Sequence, residues 1–541
     1  MVDLTVFRLH DGTEDFDDFV DLEDRPNTLQ FGPITRDNFA AKLYVTEPHP
    51  RLPSWVPFIQ TGFPTDAPWR QSTSVSALLV LKVVIGVGAR NFALAFSPSG
   101  RFLLRENAYR RRFGLITALN IITESDLPPR LRALDTARHG ASILRSRLQT
   151  TGPSGVETFE LDVLRDLVRH ATGEPGNSRA WGGRVGGSDA LRLARDIPFD
   201  DLGSLCHDID DVSRKETYKE RFEWIDFVTP VVEEELVSKL EEATVKIITS
   251  KEPIVDMLQL APPEVVEWDR LVRFQYHTES QQHVTRPDLS FKHYRGTLTP
   301  SRLDGLNAAA LQRWLIKGFD ASGEQIAKWT VWRCLVGELE LDGSTFVLEN
   351  GAFYRVDKDY LANLHAEIKR FEKSASFLPA AKPGQKEKAY NKSVEGDKSQ
   401  YLCLDAELVP LTGARNGIEL CDVLSSTHQL IHVKRYTSSE TLSHLYNQAR
   451  TSAELLQTNG EFRENAQKHV ADRDPDSKFT FVDPSPLDTA TCEVVLAVIK
   501  QWGDSGIEAL PFFAKLNLRR VLTDISSWGF KAAVVPVPIE S

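Results

Sequence analysis

The chain reads as a mixed α/β protein of several domains. Its length of 541 residues exceeds what one ordinary hydrophobic core serves. Runs with the 3.6-residue spacing of helices alternate with short β-branched and aromatic runs. The apolar pattern lapses twice, in a Gly-rich stretch before residue 190 and in the Lys-rich AAKPGQKEK. The predicted organisation is an N-terminal α+β domain over 1–190, a middle helical and antiparallel β domain over 191–360, and a last α/β domain over 361–541.

Composition narrows the functional classes. The chain is 41% hydrophobic and 26% charged, as globular proteins are. No run approaches the roughly 18 apolar residues of a membrane span, and the acidic start MVDLTVFRLHDGTEDFDD is unlike a signal peptide. Five scattered cysteines without a CxxC pair argue against structural zinc and a disulfide framework, and for a reducing cytoplasm. A net charge of −12 excludes a uniformly basic coat. It leaves room for a local basic cleft that binds phosphates in a salt-sensitive way.

In the N-terminal part, LTVFRL, Ala77 to Val87 and Asn91 to Phe96 are strand-like. Arg101, Arg105, Arg110, Arg111 and Arg112 follow, interleaved with Phe102, Tyr109 and Phe113. Such a cluster either grips phosphates and stacks bases or is an exposed basic connection into FGLITALNII. Val156 to Ala171 has helical spacing, and Thr172 to Asp189 reads as a boundary loop. Its glycines lack the Lys-Ser/Thr ending of a phosphate-binding loop.

The middle part opens with acidic helices. His207 with Asp208, Asp210 and Asp211 suits either a metal or a solvated helix start. From Trp329 the pattern becomes strands with turns at Asp342-Gly343 and Asn350-Gly351, an antiparallel meander. Trp329, Trp332, Phe346, Phe353 and Tyr354 are assigned to its core or to a partner surface rather than to a cofactor box. A helix from Lys358 then leads into the Lys-rich linker.

The last domain reads helix (Glu387 to Val394), three strands, helix (Glu440 to Gln457), strand (Cys492 to Ile499), helix (Phe512 to Trp528), strand. At its centre is IELCDVLSSTHQLIHVKRY, residues 418–436, two β-type runs around a polar turn. A turn centred on Thr427 places Asp422 opposite His432, with Cβ atoms roughly 4.5–5.5 Å apart. Lys434, two residues on, points to the same face. Glu419 is one parity away from Asp422 and faces elsewhere unless the strand carries a bulge.

This order of elements, with an acidic residue on the second strand and a tripeptide ending in Lys on the third, resembles the PD-(D/E)XK (restriction-endonuclease-like) nuclease superfamily. The resemblance implies a metal-dependent endonuclease with Asp422, His432, Lys434 and Glu387 as catalytic residues. Asp422, Glu387 and His432 would hold Mg²⁺ or Mn²⁺, and Lys434 would orient the attacking water or stabilise the phosphorane. His432 stands where a carboxylate is usual, which favours a transition metal. On the following helix His444 and Gln448 share a face; with Arg435 they are the expected substrate contacts. Lys515 is by default a solvated helix lysine.

The segments RNFALAFSPSGRFLL, FGLITALN, EKAYN, IELCD, IHVK and LPFFAKLNL give the whole chain a resemblance to a sporadically distributed bacterial family of poorly defined function, carried by mobile or defence-associated regions. It implies defence against phage or mobile DNA. The expected partners are DNA, with RNA as the alternative substrate, no membrane, a second copy of the chain, and a product of the same defence operon. The competing reading is a non-catalytic nucleic-acid or protein-binding module on the same scaffold, with Lys434 paired to Asp422.

Overall fold

The first strand, Val2–Arg8, is apolar at Leu4, Val6 and Phe7 and lies mid-sheet, between Gly88–Phe96 and Leu191–Arg195. In the computed structural model it is one of ten strands in an antiparallel sheet that extends on both sides of it. The structure describes residues 1–540 except 14, 24, 49, 51, 53–55, 63–72, 74, 87, 98, 106, 125–128, 140–142, 160, 162–165, 251–257, 279–285, 397–399, 414–416, 438, 475, 477, 480–487 and 504. The helix Phe113–Ile122 packs on the sheet with almost every residue buried. Its Gly114 and the strand residue Gly187 touch backbone to backbone: a Cβ on Gly187 would lie 1.8 Å from the Gly114 carbonyl oxygen. The same core takes in Leu202–Ser213 and continues to Ile225.

Two sequence expectations are corrected here. The described part of the expected helix over 156–171 is a 3₁₀ turn, Val156–Phe159, and a strand, Asp166–Gly173; residues 160 and 162–165 lie outside the described residues. The expected loop over 172–189 holds the end of that strand, a helical turn at Ser178–Trp181 and the strand Val185–Gly187.

The middle part builds a five-stranded sheet, from Val228–Pro230 through Ala352–Val356, Ser344–Glu349 and Leu335–Leu341 to Leu258–Leu260. Both hairpins turn on the expected dipeptides, with Asp342 and Gly343 at φ 51° and 66° and Asn350 and Gly351 at φ 50° and 76°. These are the paired left-handed residues that match strand twist. Trp329, Trp332, Phe346, Phe353 and Tyr354 are all buried. Glu349, fully buried, ties this sheet to the first one through Arg145, Arg169 and His139.

The last domain contains α1 (Glu387–Val394), β1 (Tyr401–Cys403), β2 (Val423–Ser425), β3 (Gln429–Arg435), α2 (Ser439–Thr458), α3 (Gly460–Arg473), β4 (Glu493–Ile499), α4 (Phe512–Ser527) and β5 (Lys531–Val537). The sheet order is β1-β2-β3-β4-β5. The first three strands are antiparallel, and β3, β4 and β5 run parallel. Every residue of β4 is buried because both faces are covered. Val495, Ala497 and Ile499 pack with Tyr390 and Val394 of α1; Val494, Leu496 and Val498 pack with Leu445 and Ala449 of α2 and Leu518 of α4. Among the described residues no helix is long and apolar enough to cross a membrane.

Candidate active site

The pairs Val423↔Ile431 and Leu424↔Leu430 set the register of the central hairpin, the one that a turn centred on Thr427 requires. β2 regularly pairs only from Val423 onward. The preceding rung, Ile418–Glu419, pairs instead with Leu408–Val409, so the chain breaks between Glu419 and Val423. Two residues one turn apart on α2 hold this break: Ser452 Oγ donates to the Leu420 carbonyl at 2.6 Å, and Gln448 Nε2 donates to Glu419 Oε2 at 2.8 Å.

The break turns Glu419 toward Asp422. Together with Asp405, from the loop after β1, they offer carboxylate oxygens that all lie within 4.8 Å of one another. Asp422 is fixed from two sides. Its Oδ2 accepts the Val433 backbone N–H at 2.7 Å and its Oδ1 faces Asn391 Nδ2 at 3.5 Å. Glu419 Oε1 accepts the backbone N–H of Ala406, a residue in the left-handed region at φ 62°, at 2.8 Å. Asp405 Oδ2 is buried with no hydrogen-bond partner.

Two carboxylates at such a distance repel by roughly 3 kcal/mol at an effective dielectric constant near 20. Burial, then the neighbouring charges of Glu419, Glu387 and Asp405, push the Asp422 carboxyl well above its ordinary range, against the pull of the Val433 N–H. Burial likewise raises Glu419, with Asp405 and Glu387 adding to it. An oxygen-only set with an orphaned buried oxygen fits a hard divalent cation such as Mg²⁺ or Mn²⁺.

Lys434 and Glu387 sit beside this cluster as a pair. Lys434 Nζ donates to Glu387 Oε1 at 2.8 Å, and the Arg435 backbone N–H lies 3.4 Å from Oε2. Burial works against the Lys434 charge, but Glu387, Asp422 and Glu419 outweigh it and raise its pKa.

His432 is placed differently. It is fully buried, its Nε2 has no hydrogen-bond partner, and burial alone lowers its pKa to about 3. Neither His432 nor Glu387 belongs to the close carboxylate group. The residues that join Asp422 in that group are Asp405 and Glu419.

A profile described as "Family of unknown function (DUF6119)" matches residues 4–538. The chain belongs to that family. No curated protein and no solved structure matches it.

Of the remaining expected residues of this DUF6119 chain, Gln448 touches the cluster. Gln448 binds Glu419, while His444, one turn earlier on α2, is exposed. Arg435 Nη2 donates to the Lys382 carbonyl at 3.2 Å and its Nε is buried without a partner. Lys515 is buried rather than solvated: its Nζ donates to the Glu508 carbonyl at 3.0 Å, beneath the end of α4 that Glu338 caps. The cluster of His207 with Asp208, Asp210 and Asp211 divides, because Asp210 turns inward to Arg8 and Arg214. Sequence reasoning missed Asp405, which carries no local motif. It set Glu419 aside for want of visible evidence of the break.

Proposed function

We propose that the last domain is a metal-dependent nuclease that hydrolyses phosphodiester bonds, on DNA in the first instance, and that it is related to the PD-(D/E)XK superfamily. The observation that carries this reading is the convergence of Asp405, Glu419 and Asp422 next to Lys434, where β2 parts from β3. The strand order, with an antiparallel meander followed by a parallel β4, supports the same reading.

Asp405, Glu419 and Asp422 would hold the cation, which supplies Lewis acidity and a water acidic enough to attack phosphorus near neutral pH. The protein's own residues do the positioning. Val433 N–H and Asn391 aim the Asp422 carboxylate, and Gln448 aims that of Glu419. Lys434 carries positive charge to the place where charge builds on the phosphoryl oxygens, and a compact ammonium suits that task. Glu387 keeps Lys434 protonated and held in place. A role in defence against phage or mobile DNA rests on the resemblance of the whole chain described above.

One observation favours a second reading, a nucleic-acid-binding module without catalysis: Lys434 is already neutralised by Glu387. A cleavage assay separates the two. Purified protein is incubated with plasmid, linear duplex, single-stranded DNA and RNA in Mg²⁺ or Mn²⁺, beside Asp422→Ala and Lys434→Ala. Cation-dependent cleavage that both variants lose, with substrate binding retained, is the expected result. Equal nicking by all three proteins, or none by wild type on any substrate, overturns the nuclease.

A further inference from the structure

The N-terminal part contains a second site that the nuclease does not use. A cavity of about 290 Å³ opens where Val2–Arg8, Gly88–Phe96, the 109–112 connection and Leu202–Ser213 meet. Six arginines line it: Arg8, Arg90, Arg110, Arg111, Arg112 and Arg214.

Three carboxylates pair with these groups. Asp11 lies 2.8 Å from Arg8, 2.8 Å from Arg110 and 3.9 Å from Arg90. Asp210 binds Arg214 and lies 3.4 Å from Arg8, and Asp189 lies 3.0 Å from Arg111. Among the described residues the six guanidinium groups meet these three carboxylates, a local excess of positive charge in a chain whose net charge is −12. Arg112 forms no ion pair among the described residues. Its guanidinium donates to the Val228 and Ile225 carbonyls at 2.6 and 2.9 Å, and its Nε is buried with no partner.

We propose that this cavity binds a small ligand bearing two or more phosphates, of the nucleoside di- or triphosphate class. Guanidinium forks match phosphate oxygens two at a time, and each such bond is charge-assisted. Phe113 and Ile116 give the cavity an apolar wall for the uncharged part of the ligand. A nucleic-acid backbone fits poorly. The chain's net charge of −12 repels a long polyanion that runs beyond the cavity more than it repels a compact one. Bound phosphates relieve the repulsion among the arginines, so the ligand stabilises the folded protein.

The test uses full-length protein in EDTA, so that the carboxylate cluster takes no part. Calorimetry and thermal unfolding are run with pyrophosphate, ATP and a single-stranded DNA oligonucleotide, at low and high salt. Pyrophosphate and ATP are expected to bind, to raise Tm and to weaken as salt rises. R90A/R214A removes two partly exposed arginines, 35% and 54% accessible, and leaves Asp11 and Asp210 their other partners. It is expected to weaken binding at least about tenfold, from two lost charge-assisted contacts. Losing the Arg214 partner of buried Asp210 lowers its ligand-free Tm, whereas Arg90→Gln, whose 3.9 Å ion pair is part-exposed, leaves that Tm unchanged. Arg90→Gln alone weakens binding less and in the same direction. R36A, whose guanidinium pairs with Asp200 away from the cavity, keeps wild-type affinity. Absence of binding at low salt, equal affinity of wild type and the double variant, or an oligonucleotide that outcompetes ATP for the cavity overturns the proposal.

Discussion

The backbone N–H of Val433 donates to Asp422 Oδ2 at 2.7 Å. Across an unbroken hairpin that N–H would meet a carbonyl or solvent. Here β2 parts from β3, and the side chain of Asp422 fills the vacated position. A carboxylate that satisfies a buried backbone donor is thereby held beside two others.

Replacing Asp422 separates its two duties. Asp422→Asn keeps an oxygen for the Val433 N–H and removes a buried charge, so the variant is expected to unfold at or above the wild-type temperature. Asp422→Ala leaves a buried donor unpaired, which costs about 1–3 kcal/mol. Both variants are expected to lose cleavage. Thermal unfolding of the two, read beside the cleavage assay, checks this; equal destabilisation by Asn and Ala would mean that the N–H bond contributes nothing.

Asp405 offers a cleaner separation, since its Oδ2 has no hydrogen-bond partner to lose. Asp405→Asn removes one of three mutually repelling charges. The cation-free variant is expected to be more stable than wild type by about 1 kcal/mol, an estimate that discounts the Coulomb repulsion for solvent and relaxation. Mn²⁺ or Mg²⁺ is expected to raise the Tm of wild type and to leave that of the variant unchanged. A variant that keeps the full cation response would remove Asp405 from the site.

Gln448, hydrogen-bonded to Glu419, is expected to act through that carboxylate. Gln448→Ala frees one Glu419 oxygen, while the Ala406 N–H still holds the other. Outer partners of metal-binding groups are worth about 10–100-fold in affinity or activity. Cation titration of cleavage should therefore show a weaker apparent affinity with a maximal rate closer to wild type. Gln448→Glu, which adds a charge facing Glu419, should be worse than Ala. An unchanged cation dependence in both variants would reduce Gln448 to ordinary helix surface.

The legible parts of this protein were those that local chemistry controls. Asp342-Gly343 and Asn350-Gly351 demand left-handed backbone and make the hairpins expected of them. The stripe Leu442, Leu445, Ala449, Ala453 and Leu456 is fully buried at its 3.6-residue spacing. The misread strand Asp166–Gly173 contains a bulge: Asp135 pairs with His170 and Thr136 with Val168, so Arg169 is an extra residue and the period of two fails there. Leu161, Val163, Leu164, Leu167 and Val168 imitate a helix by their spacing in the sequence. The Glu419–Val423 break is equally invisible in sequence, because its cause lies on another element, at Gln448 and Ser452 of α2.

Acid sensitivity is expected to arise in the middle part, at His277. Both its ring nitrogens are buried without hydrogen-bond partners, and the ring stacks on Trp314 at 4.2 Å. Burial, with Arg302 adding to it, lowers its pKa from 6.5 to about 4. The folded protein therefore keeps His277 neutral, while the unfolded chain takes up the proton first as pH falls. The stability this contributes is complete above pH 6.5 and is lost progressively as pH falls from 6.5 toward 4. Discounted for the solvent screening of a half-buried ring, the loss is on the order of 1 kcal/mol near pH 5. His277→Phe retains a flat ring against Trp314 and has no proton to gain. Its Tm is expected to fall less than that of wild type when the buffer is changed from neutral to pH about 5, and equal falls would place the acid sensitivity elsewhere.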